Sequence, residues 1–179
     1  MLTALPATMG TLLLSYLFIV AGWQKISSID HFRQVLIDYR IAPESWSPLL
    51  ARGLPMLELG AGLALLVPPM RDPALVVLIA LLTIYSAAIA LNLVRGRSGI
   101  DCGCSGPGQQ QPLSAWLIVR NAVLLSVAIL ARSAPQAGTI GAVGWGLGIP
   151  GAVVAALIYH SSNQLIANRS LLQRIAQHG

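Results

Sequence analysis

The sequence predicts an all-α protein, a polytopic membrane helix bundle of about five transmembrane helices with a short interfacial helix after the first. The composition is the first reason: 55% of the 179 residues are hydrophobic, 9% are charged and the mean hydropathy is +0.72. A soluble domain of this size could not bury so much apolar surface. The second reason is that proline, glycine or charged residues divide the chain into apolar segments, each about long enough to cross a bilayer.

Residues 6–23 form the first predicted span. No Lys or Arg precedes this segment, so it is predicted to be a retained span rather than a cleaved signal peptide. Trp23 and Lys25 then follow as expected interfacial anchors. Residues 28–41 alternate apolar and polar positions at helical spacing, which predicts a short helix in the membrane interface, or alternatively an amphipathic linker. Its apolar positions are Ile29, Phe32, Leu36 and Tyr39.

The second predicted span covers residues 48–67, where Gly60 and Gly62 would let another helix approach closely. It carries Glu58 about ten residues from its start. A carboxylate at this depth is costly unless it is protonated, paired or in contact with a wet cavity, so Glu58 is a candidate functional residue. A purely structural ion pair is the alternative.

The third span is predicted at 73–94, with Asp72 capping its start and Asn92 near its end. The fourth is predicted at 113–131 and contains Arg120 and Asn121 about two turns from its start. At that depth an inward-facing arginine with a partner is favoured over one that snorkels to the surface.

A glycine-rich fifth span is predicted at 139–160, where Gly144 and Gly148 form a GxxxG pair suited to close helix packing. The expected organisation is therefore a four-helix core over residues 1–132, followed by a fifth helix and a basic tail over residues 133–179.

The third and fourth spans are joined by a polar loop that holds the only two cysteines, in the order Asp101-Cys102-Gly103-Cys104. Two thiols separated by one residue can form a disulfide only if the backbone folds tightly, and Gly103 supplies that freedom. Such a small ring is expected to be strained, and a strained disulfide tends to be passed on to another thiol. We therefore predict that Cys102 and Cys104 are a redox pair rather than a structural crosslink.

The predicted spans bring several buried polar residues to the membrane half nearest this loop. We expect them to form one cluster beneath the cysteines, because a guanidinium stabilises a nearby thiolate and a buried carboxylate can accept or return a proton. Asp101 would oppose the effect of the guanidinium. The expected members of the cluster are Glu58, Asn92, Arg120 and Asn121.

Basic residues are unevenly distributed over the two faces of the predicted bundle. They are scattered rather than clustered, which argues against nucleic-acid binding and for a role in membrane topology. The face with the cysteine loop would carry Lys25, Arg33, Arg40, Arg52, Arg95, Arg97, Arg169 and Arg174, and the opposite face Arg71 and Arg132. The positive-inside rule then predicts a cytoplasmic cysteine loop and an N-terminus outside.

Five short segments of the chain are distinctive when taken together: Gly22-Trp23-Gln24-Lys25, Leu54-Pro55-Met56-Leu57-Glu58, Asn92-Leu93-Val94-Arg95-Gly96, Asp101-Cys102-Gly103-Cys104 and Arg120-Asn121. They resemble the MauE family, the methylamine utilisation branch of the DoxX-like membrane proteins. The resemblance covers roughly residues 8–130, and its most specific part is the cysteine loop with the downstream Arg-Asn pair. One position departs from the family pattern: Ser105 follows the second cysteine where the family usually has phenylalanine.

The resemblance implies a multi-pass protein of the bacterial inner membrane that is needed for maturation of the methylamine dehydrogenase beta subunit, a periplasmic protein with many disulfides. It also implies thiol–disulfide exchange beside a thioredoxin-like partner. No cofactor follows from the residues themselves, whereas the DoxX-like relatives suggest a membrane quinone. A periplasmic oxidant should have its cysteines outside, contrary to the charge distribution. Either the loop folds back into the bilayer to relay reducing equivalents, or the protein moves reducing power outward.

Two other classes of function remain open from the sequence. Two thiolates one residue apart suit Cu(I), and Glu58 could line a path for a soft metal ion. Against this, the loop has no methionine cluster near it and no histidine or second cysteine pair to complete a copper site. Separately, no Cys/His spacing in the chain completes a four-ligand zinc site. The other alternative is a non-catalytic membrane assembly factor whose cysteines are inert.

Overall fold

The computed structural model describes residues 4–103, 111–133, 146, 148–162 and 164–165. Over these residues the chain is helical, and the predicted all-α fold class is confirmed. Short 3₁₀ turns at Glu44–Trp46 and Pro68–Met70 lead into the third and fourth helices. The α-helices are α1 (Ala4–Ser27), α2 (Ile29–Tyr39), α3 (Ser47–Ala64), α4 (Arg71–Val94), α5 (Ala115–Ser133) and α6 (Gly148–Ser162).

Three helical segments are long and apolar enough to cross a membrane: Pro6–Ser27, Pro68–Val94 and Ala115–Ser133. They correspond to the first, third and fourth predicted spans. At the second predicted span, α3 has 18 residues, about 27 Å at 1.5 Å per residue, slightly less than a hydrocarbon core of about 30 Å. The fifth predicted span corresponds in part to the shorter α6, and its start, including Gly144, lies outside the described residues.

Helices α1 and α3 pack so closely that their backbones touch. A Cβ added to Gly22 would lie 2.8 Å from the Pro55 carbonyl oxygen, and one added to Gly62 would lie 3.0 Å from the Ile19 nitrogen. The Ser15 hydroxyl donates a 2.7 Å hydrogen bond to the Gly62 carbonyl. Gly62 therefore has the predicted packing role. Gly60 does not, because it is exposed and a Cβ there would meet nothing within 4 Å.

The apolar core lies between α1, α3, α4 and α5, and a second, smaller apolar cluster lies at the end of the bundle where α4 ends and α5 begins. Helix α2 covers this end, and its buried residues are Phe32, Val35 and Tyr39. The face predicted from the sequence was partly wrong: Ile29 and Leu36 are only half-buried. The second cluster consists of Val35, Tyr39, Ile89, Cys102, Leu113 and Leu117.

The start of α4 differs from the prediction, because Asp72 does not cap it. The 3₁₀ turn at Pro68–Met70 runs directly into the helix, and Met70 at the cap position already has helical dihedral angles. The Asp72 carboxylate instead accepts a 2.9 Å hydrogen bond from Arg132 Nε, near the end of α5. This exposed pair links the ends of two neighbouring helices.

Candidate redox site

Cys102 lies between α4 and α5 and is 7% exposed, within the smaller apolar cluster. It is disulfide-bonded. The sequence has one other cysteine, Cys104, which lies outside the described residues. The Tyr39 hydroxyl donates a 3.4 Å hydrogen bond to the Cys102 carbonyl. Cys102 is thus covered by α2 and is largely inaccessible to solvent.

Backbone hydrogen bonds hold the segment around Cys102 against the start of the fourth predicted span. Asp101 and Pro112 form an isolated antiparallel bridge. The Cys102 N–H donates to the Gln111 carbonyl at 2.8 Å, and the Leu113 N–H donates to the Ile100 carbonyl at 3.0 Å. Both sides of the loop are therefore joined at its base.

Gly103 occupies a position that only glycine suits. Its φ is +69°, in the left-handed region that side chains disfavour. A Cβ at this position would also lie 2.9 Å from Val35 Cγ1 of α2. The loop therefore needs glycine both for its turn and for the close approach of α2.

The Asp101 carboxylate connects the loop to α2. Its Oδ1 accepts from the Gln111 N–H at 3.0 Å and from the Gly103 N–H at 3.4 Å, while Oδ2 lies 3.0 Å from His31 Nε2. We did not predict His31 from the sequence. The signal that could have found it is its helical spacing, since His31 and Val35 are four residues apart and so lie on one side of α2.

Tyr39 is a neutral hydrogen-bond donor in this site. Burial, and secondly the negative charge of Asp101, raise the pKa of Tyr39 well above its ordinary value, while the positive charge of Arg120 opposes this shift. Arg120 is therefore close enough to the Tyr39 hydroxyl to act on it electrostatically.

Glu58 pairs with Lys25, a residue outside the expected cluster. Lys25 Nζ lies 2.5 Å from Glu58 Oε1, and the two residues are 7% and 1% exposed. The prediction of Lys25 as an interfacial anchor was wrong, because the α1–α3 contact at Gly22 and Pro55 brings its side chain inside the bundle. The buried Glu58 carboxylate is thus paired with an opposite charge.

Aromatic rings surround the ammonium group of this ion pair. Lys25 Nζ lies 5.1 Å from the Phe32 ring centroid and 4.8 Å from that of Tyr85, distances typical of cation–π contacts. The Tyr85 hydroxyl lies within hydrogen-bonding reach of the Glu58 carboxylate. The Lys25 ammonium group and the Tyr85 hydroxyl therefore both adjoin this carboxylate.

The other predicted cluster members have their own contacts. The guanidinium of Arg120 lies 3.5 Å from Asn121 Oδ1 and 5.7 Å from the centre of the Tyr159 ring in α6. Asn92 is fully buried, donates to the Ala88 carbonyl at 3.0 Å, and accepts from Arg97 at 3.2 Å. The contacts thus join Glu58 to α1 and Asn92 to the chain just after α4.

A cavity of about 280 Å³ lies between α2, α3 and α4, and we call it the interhelical cavity. Its lining is mainly apolar. Lys25 and Tyr85 contribute to its wall beside the ion pair, and Tyr39 and Cys102 contribute to its wall beside the loop. The two polar regions of the site therefore border one shared space.

Across the described ranges, no group of three or more His, Cys, Asp or Glu side chains is arranged to hold a metal ion. The His31–Asp101 contact involves two such side chains. The described part of the site therefore offers hydrogen-bonding and ionic groups around a half-cystine.

Comparison with known proteins identifies one family. Residues 2–134 match the family model described as Methylamine utilisation protein MauE. The chain is 36% identical over 153 residues to the methylamine utilization protein MauE of Paracoccus denitrificans, covering 85% of this chain and 82% of that one. It is 31% identical over 162 residues to the protein of the same name from Methylophilus methylotrophus, covering 89% and 85% respectively.

No solved structure matches the chain significantly. The family match covers α1 to α5, together with the cysteine loop and both polar regions that border the interhelical cavity. The chain belongs to the MauE family of methylamine utilisation proteins.

Proposed function

We propose that this protein is a membrane thiol–disulfide redox protein, an oxidoreductase or its accessory, in which Cys102 and Cys104 are the exchanging pair. The observation that carries the proposal is a disulfide-bonded Cys102 in a segment joined at its base by backbone hydrogen bonds and covered by α2. In exchange, a partner thiolate attacks one sulfur and the other leaves as a thiolate, which forms a mixed disulfide. A second thiolate of the partner then attacks the partner's sulfur in the mixed disulfide, which completes the partner's disulfide and leaves both cysteines of this protein reduced.

The proposed biological role is support of a periplasmic protein that acquires disulfides. The matching relatives carry the name methylamine utilization protein, and we propose the methylamine dehydrogenase beta subunit as the protein whose maturation is supported. The proposed partner is a thioredoxin-like redox protein, periplasmic or tethered to the membrane. From a cytoplasmic cysteine loop it would be reached either by folding of the loop back into the bilayer or by movement of reducing power outward.

We further propose that the protein lies in the inner membrane with the cysteine loop at the cytoplasmic end of the bundle. Arg95 and Arg97 follow α4 at this end, next to the loop. The positive-inside rule places such a basic end on the cytoplasmic side. Redox trapping in whole cells with membrane-permeant and membrane-impermeant thiol reagents tests this: only the permeant reagent should label the reduced loop.

The test of function is replacement of each cysteine in cells that depend on this protein. Cys102→Ser and Cys104→Ser should each abolish maturation of the dehydrogenase beta subunit, measured from its disulfide state and its amount. Ser98→Ala is the matched control, because Ser98 is exposed in the same connection and should leave maturation unchanged. Normal maturation in both cysteine variants would reject the proposal.

Mixed disulfides provide a second measurement. One cysteine is expected to form the mixed disulfide with the partner, and the other to resolve it. When the resolving cysteine is replaced, the covalent complex with the partner should accumulate, and dithiothreitol should reduce it. The variant that accumulates this complex identifies the remaining cysteine as the one that reacts with the partner.

A further inference from the structure

One end of the interhelical cavity is lined by exposed residues, and we call this end, residues 41–44, its rim. The rim leads into the 3₁₀ turn Glu44–Trp46, where Trp46 is 58% exposed. Exposed tryptophan in a membrane protein is typical of the depth of the lipid headgroups. The rim therefore lies at the depth of a lipid headgroup.

The cavity extends from the rim toward the middle of the membrane. Ile84 and Tyr85 of α4 also line it. Ile84 lies ten residues before Val94, the last residue of α4, and this separation is about 15 Å along a helix. One leaflet of a hydrocarbon core is also about 15 Å thick. The cavity therefore covers about the same depth as the acyl chains of one leaflet.

The walls of the cavity suit an acyl chain. The cavity has a volume of about 280 Å³ and a mainly apolar lining. Ile84 is 57% exposed on a helix that is apolar enough to cross a membrane, so this side of the cavity faces lipid more favourably than water. An acyl chain can therefore enter sideways from the bilayer.

A basic and an acidic side chain lie at the rim. Arg33 Nε donates a 3.2 Å hydrogen bond to the hydroxyl of Ser47, a buried residue of the cavity wall. This contact uses only Nε, so the terminal nitrogens of the exposed guanidinium can still donate to a phosphate group. The Ser47 N–H donates to the Glu44 carbonyl, which places Glu44 one turn away. The rim therefore presents both signs of charge.

This charge pattern matches a zwitterionic headgroup better than an anionic one. Phosphatidylethanolamine carries a phosphate and a primary ammonium group on one headgroup. Arginine binds phosphate, and a carboxylate accepts hydrogen bonds from a primary ammonium group. Phosphatidylglycerol lacks the ammonium group, and the quaternary ammonium group of phosphatidylcholine has no N–H to donate.

We propose that the interhelical cavity is a binding site for phosphatidylethanolamine, with an acyl chain between α2, α3 and α4, the phosphate on Arg33 and the ammonium group on Glu44. The lipid then has the orientation of its own leaflet, with the headgroup at the rim. Lipid binding involves no thiol chemistry, so this inference does not rest on the proposed function and each can fail alone.

The experiment is native mass spectrometry of the full-length protein in detergent micelles, with Cys102 oxidised. The protein is titrated separately with the dioleoyl forms of phosphatidylethanolamine, phosphatidylcholine and phosphatidylglycerol. We expect phosphatidylethanolamine to bind about tenfold more tightly than either other lipid, the effect of one hydrogen bond to a charged group. Equal binding of the three lipids, or tightest binding of phosphatidylglycerol, would overturn the inference.

Variants at the rim test the two headgroup contacts. Glu44→Gln should weaken binding of phosphatidylethanolamine about tenfold and leave phosphatidylcholine unchanged, whereas Arg33→Gln should weaken both about tenfold. Arg52→Gln is the control and should change neither, since Arg52 is exposed on α3 and does not line the cavity. If Arg33→Gln behaved like Arg52→Gln, or if Glu44→Gln affected the two lipids equally, the headgroup assignment would be wrong.

Two neighbouring alanines of α4 test whether the acyl chain lies in the cavity. Ala88 lines the cavity, whereas Ala87 is exposed and does not. Ala88→Phe should fill the cavity and abolish tight binding of phosphatidylethanolamine, and Ala87→Phe should retain it. Equal binding in the two variants would overturn the inference. Because Arg33 and Glu44 are exposed, their variants keep the test decisive even if Ala88→Phe fails to fold.

Discussion

Lys25 and Cys102 line the same cavity, yet the polar regions to which they belong are held by different forces. Lys25 and Glu58 form an ion pair between two helices whose backbones touch, with almost no exposure to solvent. Cys102 lies in a loop held by backbone hydrogen bonds and covered by one short helix. The ion-pair region is therefore expected to be the rigid part of the site, and the loop the part that can change its bonding during exchange.

Removing one member of the ion pair tests how strongly charge pairing stabilises the region around Lys25. Lys25→Met leaves the Glu58 carboxylate buried without its counter-charge and should lower the free energy of unfolding by about 3–5 kcal/mol. Unfolding in mixed detergent micelles, followed by circular dichroism, measures this loss.

The double variant is the control for that experiment. Replacing both members, Lys25→Met with Glu58→Leu, removes the uncompensated charge, so we expect most of the lost stability to return. If the double variant were as unstable as Lys25→Met, packing around the lysine stem would be the main contribution and the electrostatic explanation would be wrong.

The second prediction tests whether close helix contact holds the ion pair in place. Gly62→Ala inserts a methyl group against the α1 backbone and should cost about 1–3 kcal/mol of unfolding free energy. Gly60→Ala, two residues earlier on the exposed face, should instead stabilise the helix by about 0.5–1 kcal/mol. Equal effects of the two substitutions on the unfolding free energy would contradict the close packing of α1 and α3 at Gly62.

These two regions also differ in what the sequence could predict. Hydropathy and the spacing of proline and glycine predicted the helices that frame the site, because a membrane-spanning helix needs a long apolar segment. The same reasoning correctly marked Glu58 as buried and costly. It could not predict Lys25 as the partner, because that depends on the register of α1 against α3, which the backbone contact at Gly22 sets.

The contacts of the loop were still harder to predict. His31 and Tyr39 reach the loop from α2, a helix some sixty residues earlier in the chain. An amphipathic pattern shows that a helix has a buried face but does not show which element packs against that face. In α2 the buried face also lies part of a turn away from the face that the sequence predicted. The order Asp101-Cys102-Gly103, in contrast, indicated a tight turn directly, because glycine tolerates positive φ.

The third prediction concerns the close approach of α2 to the loop. Gly103 and Gly96 both have positive φ, +69° and +72°, but only Gly103 lies against another helix. Alanine should cost about 1–2 kcal/mol at either position because of its backbone conformation. Gly103→Ala should in addition speed reduction of the Cys102 disulfide by dithiothreitol, because the new methyl group clashes with Val35.

Combining Gly103→Ala with Val35→Ala tests the cause of that effect. The second substitution removes the Val35 methyl groups that clash with the methyl group added by Gly103→Ala. The rate at which dithiothreitol reduces the Cys102 disulfide should therefore fall toward the rate measured for Gly96→Ala. If the double variant reacts as fast as Gly103→Ala alone, the contact with α2 does not protect the disulfide.

The fourth prediction uses Tyr39, whose hydroxyl donates to the Cys102 carbonyl. Tyr39→Phe should cost about 1 kcal/mol of unfolding free energy near neutral pH. The raised pKa of Tyr39 means that folding favours its protonated form. The stability contributed by Tyr39 is therefore fully present below the ordinary tyrosine pKa of about 10 and is lost as the pH rises from there toward the raised value. The stability difference between the two proteins should thus shrink in that alkaline range.

The smallest expected effect is that of His31, because its side chain is 34% exposed and Asp101 keeps two backbone donors without it. His31→Ala should lower the unfolding free energy by less than about 1 kcal/mol. His160→Ala is the control, since this histidine contacts Tyr16 away from the loop. If His31 positions the loop, His31→Ala should change the rate of disulfide reduction whereas His160→Ala should not. Equal rates in the two variants would mean that the backbone hydrogen bonds position Asp101 unaided.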